Sequence, residues 1–420
     1  MVHLYKGPRP TGRLKSVPED FIVEEITETG AVLEIGQPYN AQRLGMTEGG
    51  EGSKFSAFIM QKRAWNTSQA LGAVARRLGR GIRSMGFAGT KDRNAVSVQL
   101  CSIFGAMPEQ LLFVHIKDIS INGAWRSDNA VEMGQLAGNR FTITVRHINN
   151  PNYLDSAIAA LDGRFPNYFG AQRFGVRGNN ADIGMLILKG DFEGAARAFL
   201  TSTANETNAD AVAARERLAD EWDFGNALLY FPRYLKYERL AIDYLSRFPG
   251  NYANALRRLP RSILLMFIHA VEAQVFNSAL EERVRSGRIA PGEGDTVCPA
   301  NALGFPDYSS AHAFSADESG MFVVGSVVGY DSEVSAGEAR VLEGLGIEKD
   351  MFRVKGMPEL NAKGTSRVLF APYVGMERSF GENDAMLRFS LPAGSYATAL
   401  LEELVGSETG AEQQLVESGA

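Results

Sequence analysis

Cysteine is scarce in this chain. Cys101 and Cys298 are the only two in 420 residues, far apart and in no metal-type spacing. That excludes a disulfide-built scaffold and a cysteine-ligated zinc site, and a reduced, cytoplasmic protein is the simplest expectation. Histidine is nearly as sparse: His3, His115, His147, His269 and His312 form neither a metal spacing nor a visible triad. No uninterrupted apolar run of about 18 residues occurs, so no membrane span is expected. The opening Met-Val-His-Leu-Tyr-Lys lacks the apolar core of a signal peptide. The glycine-rich stretch 40–53 reads as a flexible hairpin loop and lacks the spacing of a phosphate-binding loop, and no dinucleotide fingerprint is found. Neither a metal nor a cofactor is expected.

What is present is an ordinary globular composition, 45% hydrophobic and 22% charged, in a chain long enough for roughly two to three domains. The net charge of −6 argues weakly against a nucleic-acid partner, but its distribution reverses that argument. Between Lys54 and Arg93 stand nine bases (Lys54, Lys62, Arg63, Arg76, Arg77, Arg80, Arg83, Lys91, Arg93) and one acid, Asp92. The last twenty residues carry Glu402, Glu403, Glu408, Glu412 and Glu417 and no base. One basic face in an acidic protein suits a polyanion bound on one side. The competing reading is that Arg76, Arg77 and Arg80 solvate a helix surface.

Asp92 sits at the centre of Gly-Phe-Ala-Gly-Thr-Lys-Asp-Arg-Asn-Ala-Val-Ser-Val-Gln, residues 86–99. A short apolar run ends at Gly89, a polar turn follows, and an alternating strand-like segment begins at Ala95. The carboxylate therefore tips a connection between two strands, in a basic field expected to keep it ionised and to attract an anion. A turn aspartate paired with a neighbouring cation is the structural alternative. Upstream, Asn66-Thr67-Ser68-Gln69 opens a helix carried by Leu71, Val74, Ala75 and Leu78 and stopped at Gly79.

Other segments carry recognisable local patterns. Phe21-Ile22-Val23 reads as a strand entered from a turn at Pro18. Residues 141–146 alternate as a strand after Gly138-Asn139-Arg140, with Phe141 on the apolar face. Residues 165–175, Phe-Pro-Asn-Tyr-Phe-Gly-Ala-Gln-Arg-Phe-Gly, form a tight loop in which Arg173 could hold a phosphate or pair with an acid. Helical spacing marks 195–200, 210–222 and 261–285. Short β-like runs return at 321–328 and 352–355. Residues 386–404 read as strand, Pro-Ala-Gly turn and helix, with Ser395 as its N-cap.

Five of these segments, in this order, resemble the TruD family of tRNA pseudouridine synthases: Leu14-Lys15 with Pro18-Glu19-Asp20-Phe21, the Lys91-Asp92-Arg93 turn, Asn139 with Phe141, the 165–175 string, and Phe389 with Leu391-Pro392 and Gly394-Ser395. The resemblance implies an α+β fold with a pseudouridine-synthase-type mixed, largely antiparallel sheet and flanking helices. It implies a catalytic domain split into 1–164 and 364–420 around an inserted α/β TRUD domain, 165–363. It implies Asp92 as the essential catalytic residue. Phe21, Asn139, Phe141 and Phe389 would be substrate contacts, with Phe141 under the target uracil. Lys15 matches the lysine of the first segment, and Lys91 and Arg93 would hold phosphate and keep Asp92 charged. The implied substrate is uridine-13 of tRNA, isomerised without metal or cofactor and with no obligatory protein partner. Two other classes stay open: an RNA-binding or RNA-folding module of the same fold without turnover, and a carboxylate-dependent nucleoside hydrolase.

Overall fold

The structure, a computed structural model, describes residues 1–406; Glu408, Glu412 and Glu417 of the acidic tail lie outside the described residues. The chain divides into two compact units. One comprises Leu4–Phe165, Ala300–Pro306 and the chain from Ala371 onward; the other comprises Met1–His3, Pro166–Pro299 and Asp307–Phe370.

The first unit is built on one eight-stranded sheet. Its strands are β1 (Phe21–Ile26), β2 (Phe55–Arg63), β3 (Met85–Phe87), β4 (Val96–Phe104), β5 (Ile119–Ser127), β6 (Gly138–Val145), β7 (Val374–Phe380) and β8 (Ala385–Pro392). They lie in the order β7-β8-β6-β1-β4-β2-β5, with β3 against the far half of β4. Only β1 and β4 pair in parallel; the other pairs are antiparallel, as in the mixed sheet expected.

Each strand alternates, so the register sorts its residues onto two faces. Ala57, Ile59, Val98, Leu100 and Trp125 face one side, where Leu33, Tyr39 and Leu44 cover them. The segment between β1 and β2 is therefore not a hairpin loop. β4 separates those two strands, and the connection crosses the sheet to bury its own apolar residues on it. Gly123 makes the crossing possible: with φ at +150°, a Cβ there would stand 1.9 Å from the Tyr39 carbonyl oxygen.

The opposite face carries Phe58, Met60, Cys101 and Ile103, and helix α1 (Thr67–Arg77) packs on it through Ala70, Leu71 and Val74. The Asn66 side chain caps α1 by accepting the Gln69 amide at 2.8 Å, and Gly79 ends it at φ +66°. Further along the same face lie Phe21, Phe141 and Phe389. Phe141 and Phe389 sit directly opposite each other on β6 and β8. At the end of the sheet, β8, a turn and the helix Ala397–Leu404 follow as expected. The N-cap of that helix is Tyr396 rather than Ser395, and it makes no side-chain cap bond.

The second unit is mainly helical, around the 25-residue helix Arg261–Arg285. By length and composition alone this helix could cross a membrane. Its Leu264, Phe267, Ile268, Val271 and Val275 instead pack into the helical core of the unit. Helix Asn180–Leu188 lies against it through Gly184, where a Cβ would meet the Phe267 carbonyl at 2.1 Å. A four-stranded sheet completes the unit: Thr365–Val368, Phe322–Val327, Thr296–Cys298 and His312–Ala313. Residues 352–355, expected as β-like, leave a 3-10 turn instead. Phe352 and Val354 are drawn into the helical core, so no strand partner is made.

The 165–175 string is tied down by polar groups. Asn277 brackets Phe169, accepting its amide at 2.8 Å and donating to its carbonyl at 2.9 Å. The buried Arg367 guanidinium donates to Asn167 Oδ1 at 2.6 Å and lies 4.2 Å over the Phe169 ring.

Candidate active site

Asp92 occupies the connection from β3 to β4, and three contacts fix the loop that carries it. The Lys91 amide donates to Thr67 Oγ1 at 2.9 Å, which ties the loop to the first residue of α1. The Lys62 ammonium, on β2, donates to the carbonyls of Trp65 (2.6 Å), Asp92 (2.9 Å) and Lys91 (3.3 Å). Asn94 Nδ2 donates to the Lys15 carbonyl at 3.0 Å, which joins the loop to the chain ahead of β1. Lys15 itself adopts a left-handed backbone, φ +54°.

That backbone carries the Lys15 side chain inward. Its ammonium makes a 2.7 Å ion pair with Asp92 Oδ2 and lies 4.2 Å over the Phe21 ring. The Lys15 side chain is only 8% exposed, whereas the Asp92 side chain is 45% exposed. A carboxylate so placed is oriented from behind and open in front.

From Phe21 the aromatic contacts continue. Phe141 meets Phe21 edge-on at 6.0 Å between ring centroids and stacks on Phe389 at 5.7 Å. All three rings are buried. Asp20, one residue before Phe21, is wholly buried and accepts two bonds from the Arg146 guanidinium, at 2.9 and 2.7 Å. The Pro18-Glu19-Asp20-Phe21 string thereby anchors the start of β1.

Beside the rings runs a buried polar row. Glu25 on β1 accepts the Lys91 ammonium at 2.6 Å through one oxygen and the Leu100 amide at 3.0 Å through the other. Thr67 Oγ1 donates to Gln99 Oε1 at 3.0 Å, and Gln99 Nε2 donates to the Gly89 carbonyl at 3.1 Å. Opposite Glu25 on β6 stands Asn139. Its Oδ1 is buried and has no hydrogen-bond partner among the described residues, as is also true of Ser97 Oγ on the same face. Buried polar atoms normally find partners, so two orphans beside one exposed carboxylate mark a place where a ligand's donors would be satisfied.

Burial pushes the Lys62 ammonium down to about 8 from 10.5. The Asp92 charge opposes that shift and the Lys91 charge adds to it. Both cysteine thiols are buried as well; desolvation pushes Cys298 up to about 11 and Cys101 well above its ordinary value. Among the described residues, no group of three or more His, Cys, Asp or Glu side chains converges as a metal site.

The fold thus brings together Asp92, Lys15, Phe21, Phe141, Phe389 and, across the polar row, Asn139. One expectation is corrected. Lys91 cannot hold a phosphate, because its ammonium is buried in the ion pair with Glu25; it supports the loop instead. Arg173 belongs to the other unit, on the 3-10 turn Ala171–Phe174, with its guanidinium 5.2 Å over the Phe169 ring. Arg93 is exposed at the loop tip, and its side chain makes no hydrogen bond or ion pair among the described residues. Sequence reasoning missed Lys62 and Glu25. A signal for Lys62 existed: it follows Phe58 and Met60 at period two, a lysine on the apolar face of a strand.

Known proteins resemble this chain over most of its length. The family model described as tRNA pseudouridine synthase D (TruD) matches residues 2–404. A curated relative bearing the name tRNA pseudouridine synthase D, from Methanococcoides burtonii, is 33% identical over 96% of this chain and 95% of its own. Another so named, from Methanopyrus kandleri, is 34% identical over 89% and 91%. Among solved structures, a TruD protein from Methanosarcina mazei superposes with a TM-score of 0.76 at 30% identity, over 96% of both chains.

Proposed function

The chain belongs to the TruD family of tRNA pseudouridine synthases, and from that premise we propose that it isomerises uridine-13 of tRNA to pseudouridine with Asp92 as the essential group. The observation that carries this reading is the Asp92 carboxylate, half-exposed and oriented by Lys15, beside an aromatic cluster and a buried amide oxygen with no partner.

In the reaction the uridine C1′–N1 bond breaks, the base turns, and a C1′–C5 bond forms. C5 gives up its proton and N1 gains one, so no atom enters or leaves. The carboxylate acts as the nucleophile or as the base in that sequence. The target base must first leave its stack. Phe21, Phe141 and Phe389 supply an apolar floor for it, and stacking of this kind is worth about 1–3 kcal/mol per base. Asn139 Oδ1 is an acceptor suited to the N3–H of uracil, and the cationic Lys15 keeps the carboxylate aimed. Arg93 is the residue of the loop free to meet a phosphate. Arg173 would hold a further phosphate. A cytoplasmic location fits this substrate.

The test is to incubate the protein with unmodified tRNA transcripts and map pseudouridine by primer extension after carbodiimide treatment. One modified site is expected, at position 13, and none in a transcript carrying cytidine there. Release of free uracil would mean a hydrolase, and tight binding without conversion would mean a non-catalytic RNA-binding module.

A further inference from the structure

The α1 end remote from Asp92 carries charge that the proposed reaction does not use. Arg76 and Arg77 close the last turn of α1, and with Ala73, His115, Ile116 and Lys117 they line a surface hollow of about 370 Å³. Arg76, Arg77, His115 and Lys117 are exposed, as is Arg83 on the turn beyond α1. None of these five side chains makes a hydrogen bond or ion pair among the described residues.

Several exposed arginines of the other unit are paired instead, while Arg233 and Arg258 there are exposed without an ion pair among the described residues. There Arg217, Arg247, Arg257, Arg285 and Arg340 each meet a carboxylate: Glu221, Asp243, Glu359, Glu281 and Glu282. Basic residues at a helix C-terminus also stabilise its dipole, by about 0.3–1 kcal/mol each. That accounts for Arg76 and Arg77 but not for His115 and Lys117, which come from the connection between α2 (Pro108–Leu112) and β5. The acids nearest in sequence are Glu109, exposed on α2, and Asp118, whose charge acts on Arg63. Phe113, on the same connection, is 79% exposed, and Leu112, the last residue of α2, is 51% exposed. Unpaired basic side chains around a hollow, with an exposed aromatic two residues before His115 on the same connection, match the backbone and bases of a nucleic acid.

The position is also fixed relative to Asp92. Thr67, at the start of α1, bonds the Asp92 loop, and nine residues separate it from Arg76. At about 1.5 Å per residue the hollow lies about 14 Å along the helix from the loop. That is about four steps of a stacked strand at about 3.4 Å each.

We propose that this hollow is a second docking site for the sugar-phosphate backbone of the same RNA, engaged some four nucleotides from the reacting uridine. The proposal rests on the tRNA reading above. Its test is the triple variant Arg76→Ala/Arg77→Ala/Lys117→Ala, whose exposed side chains carry no internal contacts, with thermal melting as the fold control. Dissociation constants for unmodified tRNA transcript are measured across a salt series.

The variant should bind about 10–100-fold more weakly at 0.1 M salt. Its slope of log K against log salt should fall by about 2–3, at about 0.7–0.9 per lost phosphate contact. Single-turnover conversion at saturating RNA should be unchanged. Unaltered affinity and slope would overturn the proposal. So would loss of binding to anionic phospholipid vesicles with tRNA affinity intact, which would assign the hollow to a membrane surface. If the wild type binds tRNA with a slope that the variant loses, but neither converts uridine, the docking site stands and the isomerase reading falls.

Discussion

At the scale of single residues, the informative group is Lys62. Its ammonium is buried, yet three backbone carbonyls accept from it, two of them in the Asp92 loop. Its folded pKa, about 8, lies below the 10.5 of an unstructured lysine. Between those values the unfolded chain binds the additional proton, so the Lys62 contribution to stability rises with pH across that window. Activity should run the other way. Above pH about 8 the neutral amine has fewer donors for three carbonyls and no charge toward Asp92, and single-turnover conversion should decline. Lys62→Met, close in volume, should cut that rate at least about tenfold, lower thermal stability because three carbonyls lose their donor, and abolish the alkaline decline. A variant with wild-type rate and pH profile would show that Lys62 is packing alone. Asp92 was legible in the sequence because its context is local: a polar turn between strands, one acid among nine bases. The roles of Lys62, Glu25 and Lys91 were not, because they depend on cross-strand register. Glu25 lies 66 positions from Lys91, and nothing local reveals that the two charges neutralise each other in the interior.

At the scale of elements, helix α1 couples the sheet to the Asp92 loop. Its apolar stripe seats it on the face of β2 and β4, and its first residue receives the Lys91 amide. The cap that starts it should therefore matter. Asn66→Ala removes the acceptor for the Gln69 amide and should lower unfolding free energy by about 1 kcal/mol, read from urea melts of the two proteins. Helix α1, β6 and the closing strand and helix were legible because capping, periodicity and turn chemistry agree over each segment. The crossing between β1 and β2 was not: Gly-rich composition suggests a turn, while the real constraint is that β4 pairs between those two strands. Nor were 352–355, whose apolar residues suit a strand and a helical core equally until the neighbours are known.

At the scale of the whole molecule, an acidic protein presents an unpaired basic surface in the unit that carries the exposed carboxylate. Net charge alone would have pointed away from RNA; the distribution of charge points toward it. The larger outline, a mixed sheet interrupted in sequence by a helical unit, became visible through motifs rather than periodicity, since no local pattern says that residues 374–392 complete a sheet begun at residue 21. The central claim is that one carboxylate performs the isomerisation. The most direct measurement compares the wild type with Asp92→Asn, which keeps the size and removes the charge, by pseudouridine yield on unmodified tRNA transcript and by RNA affinity on the same preparations. Pseudouridine from the wild type, at least about a thousandfold less from the variant, and affinity within about threefold is the predicted result. Equal yield from the two proteins would contradict it.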